Sequence, residues 1–326
     1  MSVLVSINCT TFNHEKYIAD AIESFLMQKT NFEYEILIGE DCSTDHTRII
    51  VEQYVKKHPQ KIKMITSEKN VGARLNSQRL IEHSKGKYIA DCEGDDYWID
   101  PYKLQRQVDY MESHPDCSLC FHAAKIVKAP KWQTGLKIKP YNMDRICPIE
   151  DMITEGGFCP TASLMYRRKD VINPPDFYKT AHVGDYPMQL ILGSMGKVYF
   201  METCMAVYRI GVKGSWSSRL NKGENIRQKM IRVIDGDISI LNNFNSFSEY
   251  KYKKFVDNTL LKKELEIYLL QGNKYKSIPQ KYKHYLEQLS LLNKLKLLTR
   301  CRFPRFYESL SHIKISILSM IHILSK

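Results

Sequence analysis

Apolar runs and amphipathic segments alternate along the first 115 residues. Short runs rich in apolar and β-branched residues predict four strands, at Val3–Asn8, Glu35–Gly39, Ile62–Thr66 and Lys87–Asp91. Between these runs, apolar residues recur at helical spacing and predict helices at Glu15–Gln28, Asp45–His58 and Ala73–His83. Alternation of strands and helices at this spacing predicts an α/β fold with a mostly parallel sheet and crossover helices.

The pattern changes in the second half of the chain. Helices are predicted at Pro101–Ser113 and Gly184–Met195, and strands at Ser118–Val127, Thr161–Arg167, Val198–Met201 and Met205–Ile210. Residues 128–147 are basic and turn-rich, which predicts an exposed loop. Beyond Gly223 only helical patterns follow, at Glu224–Asn243, Tyr250–Gln271 and Gln280–Leu298. We therefore divide the chain into an α/β domain, residues 1–220, and a basic helical C-terminal extension, residues 221–326.

Three carboxylates stand within four positions directly after the fourth predicted strand, at Glu93, Asp95 and Asp96. Like charges this close raise each other's pKa or recruit a cation. Because Mg²⁺ is usually held by one or two carboxylates together with substrate phosphates, the stretch predicts a Mg²⁺- or Mn²⁺-nucleotide site. Taken alone, a solvated acidic turn explains it about equally well.

Polar residues also follow the first two predicted strands, with Thr10 and Asn13 after the first and Asp41 after the second. Parallel sheets bind ligands at the carboxyl ends of their strands, so these side chains are expected near the acidic stretch, which favours the metal–nucleotide interpretation. Neither GxGxxG nor GxxxxGK[ST] follows the first strand. A dehydrogenase or P-loop kinase is therefore disfavoured, and phosphates must be bound by metal and side chains.

The excess positive charge of the chain is concentrated near the C-terminus. The chain carries a net charge of +12, and residues 283–326 hold eight Lys and Arg against two Glu, a surplus of six. A basic helical tail rich in Leu and Ile predicts peripheral attachment to an anionic membrane surface. A helical dimerisation or packing module is the alternative. Nucleic-acid binding is disfavoured because the tail contains no recognised motif and many aliphatic residues.

Cysteine usage and the two ends of the sequence favour a cytoplasmic protein. Nine cysteines are scattered, and the single CxxC, Cys117 to Cys120, has no second pair at zinc spacing. Met1 leads into a strand-like segment without a basic n-region or cleavage site. Apolar stretches stay well below the ~18 residues of a membrane span. We expect free thiols in a reducing cytosol and a location on the inner face of the plasma membrane.

Four motifs in order resemble glycosyltransferase family 2, whose members have the GT-A fold. The first two are Val5-Ser6-Ile7-Asn8-Cys9-Thr10-Thr11-Phe12-Asn13 and Gly39-Glu40-Asp41-Cys42-Ser43-Thr44-Asp45-His46-Thr47. The others are Asn70-Val71-Gly72 and Glu93-Gly94-Asp95-Asp96-Tyr97-Trp98, which resembles the family's DxD region. The resemblance covers about residues 3–215.

The resemblance implies a role for each matching residue. Thr10, Phe12 and Asn13 match positions that hold the nucleotide, and Asp41 matches the carboxylate that accepts a hydrogen bond from the base. The metal-binding positions are matched by Asp96, Asp95 and Glu93, with Asp95 also near the ribose. Asp185 matches the general base of inverting members. Departures from the family pattern are Glu93 for Asp, Thr10 for Pro and Gly184 for Glu.

These roles imply a metal-dependent inverting transferase that moves a hexosyl or N-acetylhexosaminyl group. The donor would be a nucleotide-sugar, UDP-linked by expectation, and the acceptor a saccharide or a polyprenyl-linked saccharide in capsule, O-antigen or exopolysaccharide synthesis. A catalytically silent sugar-nucleotide-binding scaffold is the alternative. A nucleotidyltransferase is disfavoured because the glycine-rich basic loop that it needs after the first strand is absent.

Overall fold

The computed structural model describes residues 2–156, 158–215, 218, 225–273 and 278–302. The strands of this part are β1 (Val5–Thr11), β2 (Tyr34–Glu40), β3 (Ile62–Thr66), β4 (Tyr88–Asp91), β5 (Tyr97–Trp98), β6 (Cys117–Lys128), β7 (Trp132–Ile138), β8 (Arg145–Cys147), β9 (Met165–Arg167) and β10 (Lys197–Ile210). The helices are α1 (Ile18–Leu26), α2 (Thr47–Lys57), α3 (Ala73–His83), α4 (Lys103–Ser113), α5 (Ile149–Glu155), α6 (Asp176–Thr180), α7 (Asp185–Met195), α8 (Ile226–Phe247), α9 (Lys253–Leu270), α10 (Gln280–Gln288) and α11 (Leu291–Arg302).

All the strands join one mixed sheet in the order β3-β2-β1-β4-β9-β6-β10-β5, with β7 paired to β6 and β8 to β10. Strands β3, β2, β1 and β4 are mutually parallel, and so are β6 and β10. Strand β9 runs antiparallel between β4 and β6. The strand order reverses beside β1, with β2 on one side and β4 on the other, and such switch points are where open α/β sheets bind ligands. The predicted α/β fold with flanking helices is confirmed.

Alternating side chains of the sheet serve two cores on its opposite faces. On one face, Val5, Ile7 and Cys9 of β1 pack with apolar residues of α1, α2 and α4. On the other face, Leu119 and Phe121 of β6 pack with residues of α5, α7 and α8. Successive side chains of β1 point to opposite faces of the sheet. One face of the strand packs against helix α1 and the other against α3.

The C-terminal helices form a third core of their own and also join the second. Helices α9, α10 and α11 bury Leu265, Tyr282 and Leu297 together with Ile234 of α8. From Ile240 onward, six residues after Ile234, the apolar side chains of α8 pack in the second core beside α7. Helix α8 thus connects the extension to the sheet domain. None of the helices in the described part of the chain has the length and apolarity that a membrane crossing requires.

Four sequence predictions in the second half were wrong in detail. The strand expected at Thr161–Arg167 is a 3₁₀ turn, Thr161–Ser163, followed by the short strand β9. Residues 128–147 contain β7 and β8, whose backbones pair with β6 and β10, so the segment is an extension of the sheet. The two strands expected at Val198–Met201 and Met205–Ile210 are one strand, β10, with register shifts between residues 201 and 206. The last predicted helix is two, α10 and α11. The predicted domain boundary at residues 220 and 221, and the extension beyond residue 302, lie outside the described residues.

Candidate active site

The end of β1 lies between the two acidic segments that the sequence singled out. On one side the backbone N–H of Asp41 donates to the carbonyl of Thr11 at 3.1 Å. On the other side the N–H of Gly94 donates to the carbonyl of Thr10 at 2.9 Å. These bonds continue the β1–β2 and β1–β4 ladders beyond the strand ends, so the sheet itself brings Asp41 and the acidic turn, residues 93–96, to the same edge.

Gly94 is required by the close approach of the acidic turn to β1. A Cβ atom at this position would lie 2.7 Å from Oγ1 of Thr11 and 3.0 Å from Nδ1 of His14. Contacts under 3.0 Å force the neighbouring atoms to move. A residue without a side chain therefore allows the acidic turn to pass directly over the end of β1.

Asp96 has one occupied and one free carboxylate oxygen. Its Oδ1 accepts the backbone N–H of Arg209 at 2.8 Å. Its Oδ2 is buried and has no hydrogen-bond partner among the described residues. Burial, together with the charges of Asp95 and Glu93, raises the pKa of Asp96 well above its ordinary value. A buried carboxylate oxygen without a donor is unfavourable unless a cation reaches it, so this atom fits a metal ligand.

Arg209 of β10 holds the acidic turn from behind. Its guanidinium is fully buried, donates to the carbonyl of Asp95 at 2.7 Å and pairs with the carboxylate of Asp20 on α1. The guanidinium carbon also lies 4.4 Å from the centre of the Tyr97 ring. Because the guanidinium and backbone of this one residue bind both aspartates, Arg209 fixes the conformation of the acidic turn.

The other two carboxylates of the acidic turn differ in their surroundings. Oδ2 of Asp95 lies 3.8 Å from Nε2 of His14. Burial lowers the pKa of His14, and the charge of Asp95 opposes that effect. Burial together with the charges of Asp95 and Asp185 raises the pKa of Glu93 to about 8. Ionisation of all three carboxylates of the acidic turn is therefore unfavourable, and a divalent cation would offset that cost.

The predicted nucleotide-binding residues are found at the same edge of the sheet. The carboxylate of Asp41 accepts the backbone N–H groups of Val71 and Gly72, each at 2.8 Å, and so holds the loop before α3. Its predicted contact with a nucleotide base stays a prediction. The side-chain oxygen of Asn13 accepts the N–H of Thr44 at 2.8 Å, which ties the β1 loop to the β2 loop. Phe12 is 40% exposed beside them.

Asp185, the predicted general base, begins α7 and lies within electrostatic range of the acidic turn. Its Oδ1 accepts the backbone N–H of Tyr186 at 2.9 Å. Burial raises its pKa above the ordinary value, a direction that suits a base working near neutral pH. The charge of Asp185 contributes to the raised pKa of Glu93, so the two carboxylates lie within electrostatic range. The structure thus brings together Asp185 and the acidic turn, although about 90 residues separate them in sequence.

No group of three or more His, Cys, Asp or Glu side chains converges on a metal position within the residues that the structure describes. The predicted three-residue set of Glu93, Asp95 and Asp96 therefore does not form a closed protein cage. One or two carboxylates and substrate phosphate oxygens are enough for Mg²⁺, and such a site is completed only with the nucleotide. The donor set and the free Oδ2 of Asp96 fit this kind of open site.

The comparison with protein families decides the assignment. Residues 6–171, about half of the chain and the whole of the β1–β4 region, match the model of glycosyl transferase family 2. The chain belongs to glycosyl transferase family 2. The resemblance inferred from the four sequence motifs is confirmed, and so is the GT-A fold.

Two curated relatives show how much of the chain is similar to other proteins. An uncharacterized protein of Mycobacterium tuberculosis is 32% identical over 217 residues, which cover 66% of this chain and 61% of that protein. The chain thus matches about three-fifths of the length of that relative. An Escherichia coli UDP-Glc:alpha-D-GlcNAc-diphosphoundecaprenol beta-1,3-glucosyltransferase, WfgD, is 34% identical over 108 residues, 33% of this chain and 41% of that enzyme.

A crystal structure of S. aureus TarS, residues 1–349, in complex with UDP has a TM-score of 0.56 and 15% sequence identity. The likeness covers 99% of this chain and 92% of that chain. At this identity it establishes the shared fold alone.

The sequence analysis did not assign two residues, His14 and Arg209, to the acidic site of this family 2 protein. His14 stands in the polar loop after β1, and its approach to Asp95 depends on a turn that no local pattern specifies. Arg209 lies 113 residues after Asp96, within an apolar strand pattern. A buried Arg in such a strand signals a buried anionic or carbonyl partner, but the partner itself cannot be read from the sequence.

Proposed function

We propose that this family 2 protein is a metal-dependent inverting transferase that moves a hexosyl or N-acetylhexosaminyl group from a UDP-linked donor. The acceptor is a hydroxyl of a saccharide or of a lipid-linked saccharide in surface polysaccharide synthesis. The E. coli relative, whose name gives a UDP-linked donor and a diphosphoundecaprenol-linked acceptor, supports this choice. TarS, with UDP bound, supports the choice of nucleotide.

One arrangement carries the proposal: Asp185 lies within electrostatic range of an acidic turn beside the end of β1. Burial and the charge of Asp95 raise the pKa of Glu93, and the charge of Asp185 adds to that rise, which supports the assignment of the base and the metal carboxylates to one site. Transfer between a nucleotide-sugar and a hydroxyl needs both groups on opposite sides of one sugar carbon. A scaffold that only binds nucleotide has no need for a buried carboxylate at the second position.

Mg²⁺ or Mn²⁺ would be held by Asp96, with Asp95 and Glu93 close by, and would offset the charge of the departing diphosphate. The free Oδ2 of Asp96 is the atom best suited to this role. Arg209 keeps that oxygen in position, because it binds the other oxygen of the same carboxylate through its backbone N–H. Thr10, Phe12, Asn13 and Asp41 line the position for the nucleotide at the β1 edge.

Asp185 takes the proton of the acceptor hydroxyl in this proposal. With the leaving group on the opposite side of the sugar, the hydroxyl oxygen attacks the anomeric carbon from the face of Asp185. The bond to the diphosphate oxygen breaks as the new glycosidic bond forms, so an α-linked donor yields a β-glycoside. Alignment of the hydroxyl with the carbon contributes further, because well-oriented reactants gain ~7–11 kcal/mol over free encounter at best.

A panel of nucleotide-sugars tests the proposal. Purified protein is mixed with each UDP- and GDP-linked sugar, and binding and slow hydrolysis are measured with Mn²⁺, with Mg²⁺ and with chelator. We expect one UDP-sugar to be hydrolysed only in the presence of metal. Metal-independent binding, or binding of no donor, would contradict the metal assignment. Binding without turnover, even after addition of a membrane lipid extract, would favour a silent scaffold.

We also propose that the protein attaches peripherally to the inner face of the plasma membrane through its C-terminal helices. Leu291, Leu292 and Leu295 of α11 are 75%, 61% and 54% exposed, and Lys294 and Lys296 stand beside them. The other side of α11 buries Leu297 and Cys301 against α9 and α10. An exposed apolar strip flanked by lysines suits the boundary between anionic headgroups and acyl chains.

Vesicle flotation tests this attachment. We expect the full chain to float with vesicles that contain anionic lipid and to stay in solution with neutral vesicles. The double substitution Leu291→Glu and Leu295→Glu should abolish flotation, because it places carboxylates in the contact strip. A matched double substitution at exposed Ile49 and Leu75, on α2 and α3, should leave flotation unchanged. Equal flotation of both variants would contradict the role of α11.

A further inference from the structure

Helix α8 of the C-terminal extension contacts the segment that leads into the candidate base. His182 stands three residues before Asp185, and its Nε2 lies 3.3 Å from Oδ1 of Asp237 on α8. The other carboxylate oxygen of Asp237 accepts from Nζ of Lys263 on α9 at 2.7 Å. Three elements that are distant in sequence therefore meet at a single carboxylate. We call His182, Asp237 and Lys263 the clamp.

The clamp is enclosed, which separates it from ordinary surface ion pairs. The side chains of His182, Asp237 and Lys263 are 25%, 19% and 17% exposed. Although burial acts to raise the pKa of Asp237, hydrogen bonds from His182 and Lys263 hold it below the ordinary value. Asp237 is therefore a carboxylate at neutral pH. Interactions of this kind are stronger than exposed pairs because water screens them less.

The fit between α8 and His182 is tight as well as charged. A Cβ atom on Gly236 would lie 2.3 Å from Nδ1 and 2.6 Å from Cγ of the His182 ring. The ring thus rests directly on the backbone of α8. On either side of His182, Ala181 and Val183 pack in the second core, to which α8 contributes Ile240, Leu241 and Phe244. Asp237 shares a helical face with these three residues, which occur at i+3, i+4 and i+7.

The clamp lies within electrostatic reach of the base. The charge of Asp237 adds to burial in raising the pKa of Asp185, and the charge of His182 acts in the opposite direction. The titratable groups that face Asp185 come from several elements: His182, Asp237, Glu93, Cys159 and Tyr178. Of these, His182 and Asp237 are joined to each other and connect the base to the extension.

We propose that the clamp positions the start of α7, so that α8 and α9 are working parts of the catalytic unit and not only an appendage. The proposal rests on the proposed function, since it takes Asp185 as the base. The clamp residues act through Asp185 and are positioning residues. A shift of about 1 Å in a reacting group can cost on the order of a hundredfold in rate, so small movements of residues 181–185 matter.

Two substitutions break the clamp in different ways. Asp237→Asn removes the charge that holds His182 and Lys263. Gly236→Ala pushes the His182 ring away from α8, whereas alanine in place of glycine would otherwise favour the helix. The matched control is Asp257→Asn on α9, which removes an exposed ion pair with Lys253 far from the base.

The first measurement is hydrogen–deuterium exchange of peptides that cover residues 181–186, made on the full chain without substrate. We expect these peptides to exchange faster in Asp237→Asn and Gly236→Ala than in the wild type and Asp257→Asn, while peptides from β1 to β4 exchange at the same rate in all four proteins. Equal exchange of the 181–186 peptides in all four proteins would overturn the proposal. The exchange comparison requires no enzymatic activity, so it tests the clamp even if the wild type hydrolyses no nucleotide-sugar. Absence of hydrolysis would contradict only the proposed function.

The second measurement is metal-dependent hydrolysis of the donor found in the panel, with water as acceptor. We expect kcat to fall about tenfold or more in both clamp variants while the donor KM changes less than twofold. Because the charge of Asp237 helps to raise the pKa of Asp185, the acidic limb of the kcat profile should move to lower pH in Asp237→Asn. If exchange is faster but kcat and the acidic limb of its pH profile are unchanged, the clamp contributes to packing alone, and its positioning role is overturned.

Discussion

The candidate site has a donor side, formed by Asp41 and the acidic turn, and a base side, formed by Asp185. Different structural elements position the two sides. On the donor side, Asp41 and the acidic turn extend ladders of adjacent parallel strands within residues 5–96. On the base side, Asp185 begins a helix whose leading segment is held by α8 and α9. The family match, residues 6–171, covers the donor side and ends before Asp185. Strand pairing within the matched region thus positions one side, whereas the other depends on helices outside that region.

Asp96→Asn should have the largest effect and break the donor side. Loss of the metal carboxylate removes several kcal/mol of charge stabilisation, which corresponds to about a thousandfold or more in turnover. The rate of metal-dependent donor hydrolysis measures this change. Asp109→Asn, on the exposed surface of α4, serves as the control and should keep the wild-type rate. A fully active Asp96→Asn protein would show that the metal assignment is wrong.

Asp185→Asn breaks the base side and should leave the donor side intact. Without the general base, we expect turnover to fall by ~10²–10⁴-fold. Donor affinity in the presence of metal, measured by calorimetry, should stay within twofold of the wild type. If donor affinity falls as steeply as turnover, Asp185 binds the donor and the division into two sides is incorrect.

Two glycine-to-alanine substitutions, one on each side, compare how much space each side leaves for an added Cβ atom. Gly94→Ala should destabilise the protein by about 1–3 kcal/mol and weaken donor binding, because the new Cβ would crowd Thr11 at 2.7 Å. Gly184→Ala, on the base side, meets no atom closer than 3.7 Å and should fold with near-wild-type stability. Denaturant unfolding of both variants measures the difference. Equal losses would contradict the close approach of the acidic turn to β1.

The pH dependence of stability should show a smaller effect that belongs mainly to the donor side. Burial raises the pKa of Asp91 to about 7 and that of Glu93 to about 8, above the value near 4 of an unfolded chain. Through these two groups the folded protein binds more protons than the unfolded chain, so their contribution to stability falls as the pH rises from about 4 to 8. The buried Lys103, whose pKa burial lowers to about 7, acts in the opposite direction above that pH. In chelator, we expect the melting temperature to drop by several degrees between pH 6 and pH 8.5.

The Glu93→Gln variant is the test of that assignment. It lacks one of the titrating carboxylates, so its melting temperature should depend less on pH across the same range. Addition of Mn²⁺ and UDP to the wild type should raise the melting temperature more at pH 8.5 than at pH 6, because protons no longer compete for the carboxylates. A Glu93→Gln variant whose melting temperature falls with pH as steeply as that of the wild type would contradict the raised pKa of Glu93.

The sequence predicted the donor side well because its information is local. Periodicity placed β1 to β4 within a few residues, and the rule for strand ends brought Thr10, Asp41 and the acidic turn together. It could not predict that β7 and β8 pair with β6 and β10, since polar edge strands resemble loops in composition. Arg209 and the clamp also escaped prediction, because each depends on contacts between residues far apart in the chain.

The anchoring of the acidic turn by Arg209 has a consequence for the order of protein synthesis. The backbone and guanidinium of this residue bind Asp96 and Asp95, which leave the ribosome 113 and 114 residues earlier. Strands β1 to β4 can pair as soon as they emerge, because their contacts are close in sequence. A nascent chain that ends before β10 therefore displays the acidic turn without its support, and the turn can reach its final conformation only after Arg209 has been added to the chain.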